Sequence, residues 1–416
     1  MSAQQPTFEH IKRALEADRE TAAELLMRLI SMRSVTGEEG PIQDFLRDAF
    51  TQLGLEVIEA PLPESLREDP EFSSPEAVKN YQGRHNLIVR MRGTGGGHSL
   101  ILSTHVDTVP EAGWAEAFTP RREGEAIIGR GAVDAKGMVA TIWLALKTLI
   151  ESGFQPRGDL SVHLVIEEEI GGNGALALLR QGERAEVALV VEPTGVQIHP
   201  GHRGAIWFRI TVQGRSTHMG RKWEGVNAVE KAMRIIEALL EYEKRLVAES
   251  RGQPLFARYS DPVQVNIGML HGGEWPSMVP GEAVIEGGVG FLPNKPMTRV
   301  KEEVREVILG IGDEWITDHF TLEFPKLHND AYEDDPAHPF VTTLKRCCDE
   351  LGLNSEVHGW NVSCDARLYH HQGQMPTVIF GPGDPAACHS AQEQCHLGDL
   401  IRGAEALAMV IREWCG

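Results

Sequence analysis

Four short apolar stretches, each leading into an imidazole or a carboxylate, constrain this chain more than anything else in it. Leu100–Ser103 runs into His105 and Asp107, and Leu160–Ile166 into Glu167-Glu168-Glu169. Val187–Val191 runs into Glu192, and Ile127-Ile128 precedes the loop that carries Asp134. Runs this short and this apolar have the length of buried strands. In an open α/β sheet the carboxyl ends of the strands share one edge, where such sheets hold their ligands. A fold that buries the four runs therefore gathers their polar tips. Each tip also has an ordinary reading. His105 with Asp107 two positions on reads equally as a buried His with a helpful Asp. Asp134 reads as a helix N-cap, and the three glutamates read as a solvated turn. Neighbouring carboxylates repel one another, however, and a cation among them removes the repulsion.

The pattern around these runs predicts an α/β domain with a doubly wound mixed sheet, interrupted by a second domain. Helices are expected over Phe8–Arg33, Pro41–Gly54 and Met138–Glu151, with further strands over Leu55–Ile58 and His85–Met91. From Ala205 to about Leu327 the order becomes strand, helix, strand, strand, helix, strand. That is the split β-α-β order of ferredoxin-like domains. Its first helix carries Val226, Val229, Met233, Ile236 and Leu240 in steps of three and four. The expected boundaries are residues 1–198 and 329–416 for the first domain and 199–328 for the insert. Beyond the insert come a helix over Phe340–Leu351, strands over Ser355–Gly359 and Thr377–Phe380, and a last helix with a continuous apolar stripe from Leu397 to Trp414.

A net charge of −20 argues against nucleic acid or an anionic membrane as partners. The N-terminal twenty residues show no apolar core of leader-peptide length, and no run approaches a membrane span. The six cysteines show no C-x-x-C spacing. The expected setting is the cytoplasm.

His389, in Cys388-His389-Ser390-Ala391-Gln392-Glu393, supplies a second imidazole. Two His and several carboxylates suit a pair of Zn²⁺ ions, with Co or Mn as other occupants. Two ions about 3.5–4 Å apart, sharing one carboxylate and one water, make a nucleophile at neutral pH. One carboxylate must stay uncoordinated to move the proton.

The segments STHVDTVP, GRGAVDAKG, EEEIGGNGA, VVEPTG and CHSAQE, in this order, resemble the acetylornithine deacetylase / succinyl-diaminopimelate desuccinylase / aminoacylase / glutamate carboxypeptidase family of di-metal hydrolases. The resemblance covers nearly the whole chain. It implies that His105 binds one ion, with Asp107 orienting it and Glu192 completing the shell. It implies that Asp134 bridges, that Glu169 and His389 bind the second ion, and that Glu168 is general base and acid. It further implies that His218, in Gly214-Arg215-Ser216-Thr217-His218-Met219-Gly220, reaches the partner subunit's active site in a homodimer built through the insert. Ser363 and Arg367 match a segment whose Arg grips a substrate carboxylate, and Asn266 matches an Asn that faces the substrate. The chain departs from the pattern at Gly290, where many members carry a carboxylate-binding Arg. The segment Gly272–Ser277, with Trp275, resembles deacylases whose relatives include deformylases of pyrimidine amines. The implied activity is hydrolysis of a small N-acyl amide. The alternatives are a di- or carboxypeptidase-like hydrolase, an N-formyl amine deformylase, and a non-catalytic metal- or ligand-binding protein on the same scaffold.

Overall fold

The structure is a computed structural model that describes residues 6–73, 80–325 and 327–416. Two compact units emerge, Met1–Gly201 with Asp334–His358 and Cys364–Gly416, and His202–Glu333 with Gly359–Ser363. The segment Gly359–Ser363 joins the second unit through its backbone. The Gly359 N–H donates to the Leu255 carbonyl at 2.6 Å, and the Trp360 carbonyl accepts from the Arg203 N–H at 3.0 Å. Sequence patterning carries no sign of this exchange.

The first unit is built on a six-stranded mixed sheet. Its strands lie in the order Glu56–Pro61, His85–Met91, Leu160–Val165, Leu100–His105, Val187–Val190 and Thr377–Ile379. The last four run parallel, and the first two are antiparallel to their neighbours. Leu100–His105 and Leu160–Val165 are buried along their whole length, which explains their unbroken apolar reading. After Leu100–His105 the chain passes through the helix Lys136–Glu151 to the strand on one side. It then crosses to Val187–Val190 on the other. His105 thus ends the strand at which the winding reverses, the position where doubly wound sheets open a ligand crevice.

A small antiparallel sheet of Arg121–Glu123, Ala126–Ile128 and Gln394–His396 has a larger consequence than its size suggests. It ties the loop that leads to Asp134 to the loop that carries His389. Two expected elements differ. The first helix divides into Phe8–Ala17 and Arg19–Ser31 at Asp18, which leaves helical geometry. Ser355–Gly359 forms no strand and makes one isolated bridge, Val357 to Ile198. The edge place beside Val187–Val190 belongs to Thr377–Ile379 instead.

The second unit has the antiparallel order Val265–Gly272, Glu282–Phe291, Gly204–Gln213 and Phe320–Glu323, as a ferredoxin-like connection requires. Ile206, Phe208, Ile210 and Val212 alternate inward and meet Ile235, Leu239, Val300 and Val304 from the helices Ala228–Ser250 and Met297–Leu309. The second helix of the insert, expected over Thr298–Trp315, stops at Leu309 and resumes as Glu314–Asp318, because Gly310 and Gly312 interrupt it. Among the described residues, the opposite face of this sheet carries no helix of the unit. Among the described residues, no helix is long and apolar enough to cross a membrane.

Candidate metal centre

The carboxyl edge of the first unit's sheet gathers His105, Asp134, Glu168, Glu169, Glu192 and His389. His105, 1% exposed, aims Nε2 at Asp134 Oδ1, 3.1 Å away, with Glu192 Oε2 at 3.9 Å. The other carboxylate oxygen of Asp134, Oδ2, lies 3.2 Å from His389 Nε2, which is 3.0 Å from Glu169 Oε2. One ligand atom from each of His105, Asp134 and Glu192 falls within 4.8 Å of the others, and so do those of Asp134, Glu169 and His389. Asp134 belongs to both triads, one oxygen toward each imidazole. A third grouping, Asp44, Glu59 and His85, lies elsewhere, and Arg47 already pairs with its two acids.

Glu168 belongs to neither triad. Burial, then the negative charge of Asp365, raises its carboxyl well above the ordinary range. Burial likewise raises Glu169 and Glu192. Burial opposes charge on His105, yet Asp107 and Asp134 outweigh it and lift the imidazole well above its usual pKa. Asp134 and Glu169 lift His389 to about 10. Burial also opposes charge on Asp134, but the two imidazoles hold that carboxyl below its ordinary range. An enclosed set of anions therefore draws positive charge from every source nearby. One oxygen, Glu169 Oε1, is buried with no hydrogen-bond partner. Such an orphan is costly unless something cationic takes it. Imidazole nitrogens and carboxylate oxygens are the donors that borderline divalent ions prefer, so this donor set fits a pair of them.

The surroundings fix these side chains from several directions. Asp107 reaches the His105 Nδ1 with its backbone carbonyl at 2.9 Å, while its carboxylate stands 3.5 Å away. That carboxylate also accepts the N–H groups of Glu168 and Glu169, both at 3.2 Å, and the Thr36 hydroxyl at 3.1 Å. Asp107 thus ties the first strand end to the glutamate loop.

Glu167, beside Glu168 and Glu169, turns away into the core. Its φ is +64°, and its carboxylate accepts from Arg84 at 2.7 Å, Asn173 at 2.8 Å and Tyr81 at 3.2 Å. Arg84 also grips Glu39 with two bonds, at 2.7 and 2.8 Å. On the other side, buried Glu393 accepts the N–H groups of Val133 and Asp134, both at 3.1 Å, and Arg130 at 2.8 Å. Sequence reasoning did not single out Glu393, Arg130, Arg84 or Asp365. The signals lay inside quoted segments: Arg130 stands in GRGAVDAKG, and Glu393 closes CHSAQE.

The remaining candidates are Arg367 in the first unit and Ser363, His218 and Asn266 in the second. Arg367 is buried. Its guanidinium donates to the Gly171 carbonyl at 2.9 Å and stands 3.6 Å from Glu71. Through that bond the side chain braces the Gly171–Gly172 turn that follows the glutamates. Ser363 belongs to the second unit, where it accepts from Asn329 at 3.1 Å. His218, also there, is exposed, and its Nδ1 accepts the Gly220 N–H at 3.1 Å. Asn266 is exposed on Val265–Gly272.

The chain is similar to proteins named as amide and peptide hydrolases. Over 371 residues it is 28% identical to the N-formyl-4-amino-5-aminomethyl-2-methylpyrimidine deformylase of Bacillus subtilis, covering 80% of this chain and 84% of that one. It is 27% identical to the acetylornithine deacetylase of Vibrio atlanticus over 350 residues, covering 82% and 88%. A protein of Aspergillus terreus named as a probable carboxypeptidase is 26% identical over 398 residues, covering 92% and 84%. Among solved structures, a tripeptidase from Staphylococcus aureus superposes with a TM-score of 0.75 at 21% identity, covering 95% and 98%. A dinuclear metal-binding peptidase from Bacillus subtilis gives 0.69 at 16%, covering 96% and 99%. The signature of peptidase family M20/M25/M40 matches residues 101–413, and the chain belongs to that family of metal-dependent hydrolases of amide bonds.

Proposed function

We propose that the protein hydrolyses the N-acyl amide bond of a small molecule with two divalent ions, zinc by its donor set. His105, Asp134 and Glu192 hold one ion, and Asp134, Glu169 and His389 hold the other. The observation that carries this reading is Asp134, placed between two imidazoles and shared by two triads. The ions supply Lewis acidity toward water and toward the amide carbonyl. The rest falls to side chains of this chain. Glu168, left out of both triads, takes a proton from water as its oxygen bonds to the carbonyl carbon. As the C–N bond breaks, Glu168 gives that proton to the departing nitrogen, leaving a carboxylic acid and an amine. Its raised affinity for a proton, caused first by burial, suits a group that must hold a proton between the two steps.

Deacylation is favoured over peptide cleavage by the deformylase and the deacetylase among the relatives. The carboxypeptidase-named relative supports the peptidase as second reading. A homodimer formed through the second unit, with His218 contributed to the partner's site, is part of the proposal. Exposed Met219, Trp223, Trp275 and Met278 on the same unit as His218 support it. A cytoplasmic setting is supported by six free thiols.

The test is Glu168→Gln. It should keep the fold and the full metal content yet lose about 10²–10⁴-fold in kcat on a panel of N-formyl, N-acetyl and N-succinyl amines run against dipeptides. Retained turnover in that variant would sink the mechanism, and turnover of dipeptides alone would shift the reading to a peptidase.

A further inference from the structure

The last helix, Leu397–Cys415, carries one ionisable residue between Arg402 and Arg412, and that is Glu405. Every residue from Gly403 to Ile411 is buried, and Glu405 is only 7% exposed. An apolar residue there would serve the core, whereas a buried carboxylate without a partner is expensive. Glu405 makes no hydrogen bond and no ion pair among the described residues. Burial raises its carboxyl above the ordinary range, and Lys12 and Arg402 oppose that from beyond ion-pair distance.

Glu405 lines a cleft of about 440 Å³, within the size of small-molecule sites. Lys12 and Glu16 come to it from the helix Phe8–Ala17, and Arg19 from the start of the next helix. Arg402 and the turn Leu351-Gly352-Leu353 also line it. Glu16 and Arg19 pair at 3.1 Å, and Arg19 also meets Glu125. Lys12 and Arg402 are exposed, and among the described residues neither has an ion pair. One buried anion and two exposed cations thus share the cleft, each with no ion-pair partner. All of these residues lie in the first unit, and none belongs to either metal triad.

We propose that this cleft is a second ligand site, which binds a free α-amino acid with an apolar side chain. The ammonium group meets Glu405, and the carboxylate meets Arg402 and Lys12. Leu351 and Leu353 offer the side chain an apolar wall. A bare amine would satisfy Glu405 but face repulsion from the two cations. A bare carboxylate would satisfy the cations but face repulsion from Glu405. A zwitterion avoids both penalties, and this difference is the basis of selectivity. The inference is independent of the proposed hydrolysis, since it uses none of the residues assigned to that reaction.

The experiment is isothermal calorimetry on the full-length, metal-loaded protein with L-leucine and L-valine. Isoamylamine and 4-methylpentanoate keep the carbon skeleton of leucine without its carboxylate or its ammonium group. The amino acids are expected to bind, and leucine about tenfold or more tighter than either analogue. Glu405→Gln should weaken leucine binding about 30-fold or more, with the folded state checked by Tm. Lys12→Met and Arg402→Met, at exposed positions, should each weaken it by about 2- to 5-fold. Asp134→Ala should leave it unchanged, which separates this cleft from amine binding at the metal centre. No binding of either amino acid overturns the inference. So does unchanged affinity in Glu405→Gln, or loss of binding in Asp134→Ala. Should Glu405→Gln fail to fold, the double variant Lys12→Met/Arg402→Met decides, and unchanged affinity there overturns the inference as well.

Discussion

Glu393 carries out none of the proposed chemistry, yet the position of Asp134 depends on it. It receives two successive backbone N–H groups, that of Asp134 included, and its charge is met by buried Arg130. Glu393→Gln keeps the shape but replaces one acceptor oxygen with a donor. We expect the metal affinity to fall about 10–100-fold, the usual effect of losing an outer partner of a ligand. Competition with a chelator measures it, and unchanged affinity would place Glu393 outside the support of the site. Gly172 is a second such residue. Its φ is +84°, and an added Cβ would lie 2.1 Å from Asp365 Oδ1. Gly172→Ala should cost about 1–3 kcal/mol in backbone strain alone, read as a lower midpoint in denaturant. At this scale the sequence was readable where residue type announces chemistry, as with His105, Asp134 and His389. It was silent where a common Glu or Gly acts through a contact some 190 or 260 positions away.

Among elements, the glutamate turn shows why three adjacent carboxylates can fold at all. Glu168 and Glu169 face the candidate centre, while Glu167 enters a buried network with Arg84 and Glu39. Removing the shared cation leaves two buried carboxylates uncompensated. Arg84→Met should therefore destabilise the chain by about 3–5 kcal/mol, and adding Glu39→Gln should recover part of that in equilibrium unfolding.

A second tie lies at the end of the helix Asn173–Arg180, where Glu183 meets His163 at 3.3 Å and Arg90 at 2.6 Å. The His163 hydrogen bond first, with Arg90 adding to it, holds the Glu183 carboxyl down at about 2 against an ordinary 4.5. The folded state thus binds this proton less readily than the unfolded chain. Its stabilisation is complete above pH 4.5 and disappears as pH falls toward 2. Glu183→Gln should show a shallower loss of stability across that window, and an unchanged slope would exclude the contribution.

The strands were legible because burial on both faces leaves a continuous apolar run. The absent Ser355–Gly359 strand was not, since a local pattern does not say which segment takes the sheet's edge. The small sheet that joins the Asp134 and His389 loops was missed too, because its pairing spans more than 260 positions.

For the whole molecule, the account predicts that metal and stability are linked. Glu168, Glu169 and Glu192 are gathered within one buried edge, where their charges oppose each other. Cations that bind the folded chain stabilise it by about 4 kcal/mol when free metal exceeds Kd a thousandfold. Stripping divalent ions should lower Tm by several degrees, and restoring Zn²⁺ should reverse the change. The two-unit organisation was legible from the switch to ferredoxin-like order near Ala205.

The central claim is that Asp134 joins two metal positions, and metal content per chain tests it most directly. The purified protein, loaded with Zn²⁺ and freed of excess, is measured by elemental analysis beside Asp134→Ala and Glu168→Gln. The account predicts two ions per chain in the parent and in Glu168→Gln, and loss of both from Asp134→Ala. One ion in the parent, or two retained without Asp134, would contradict it.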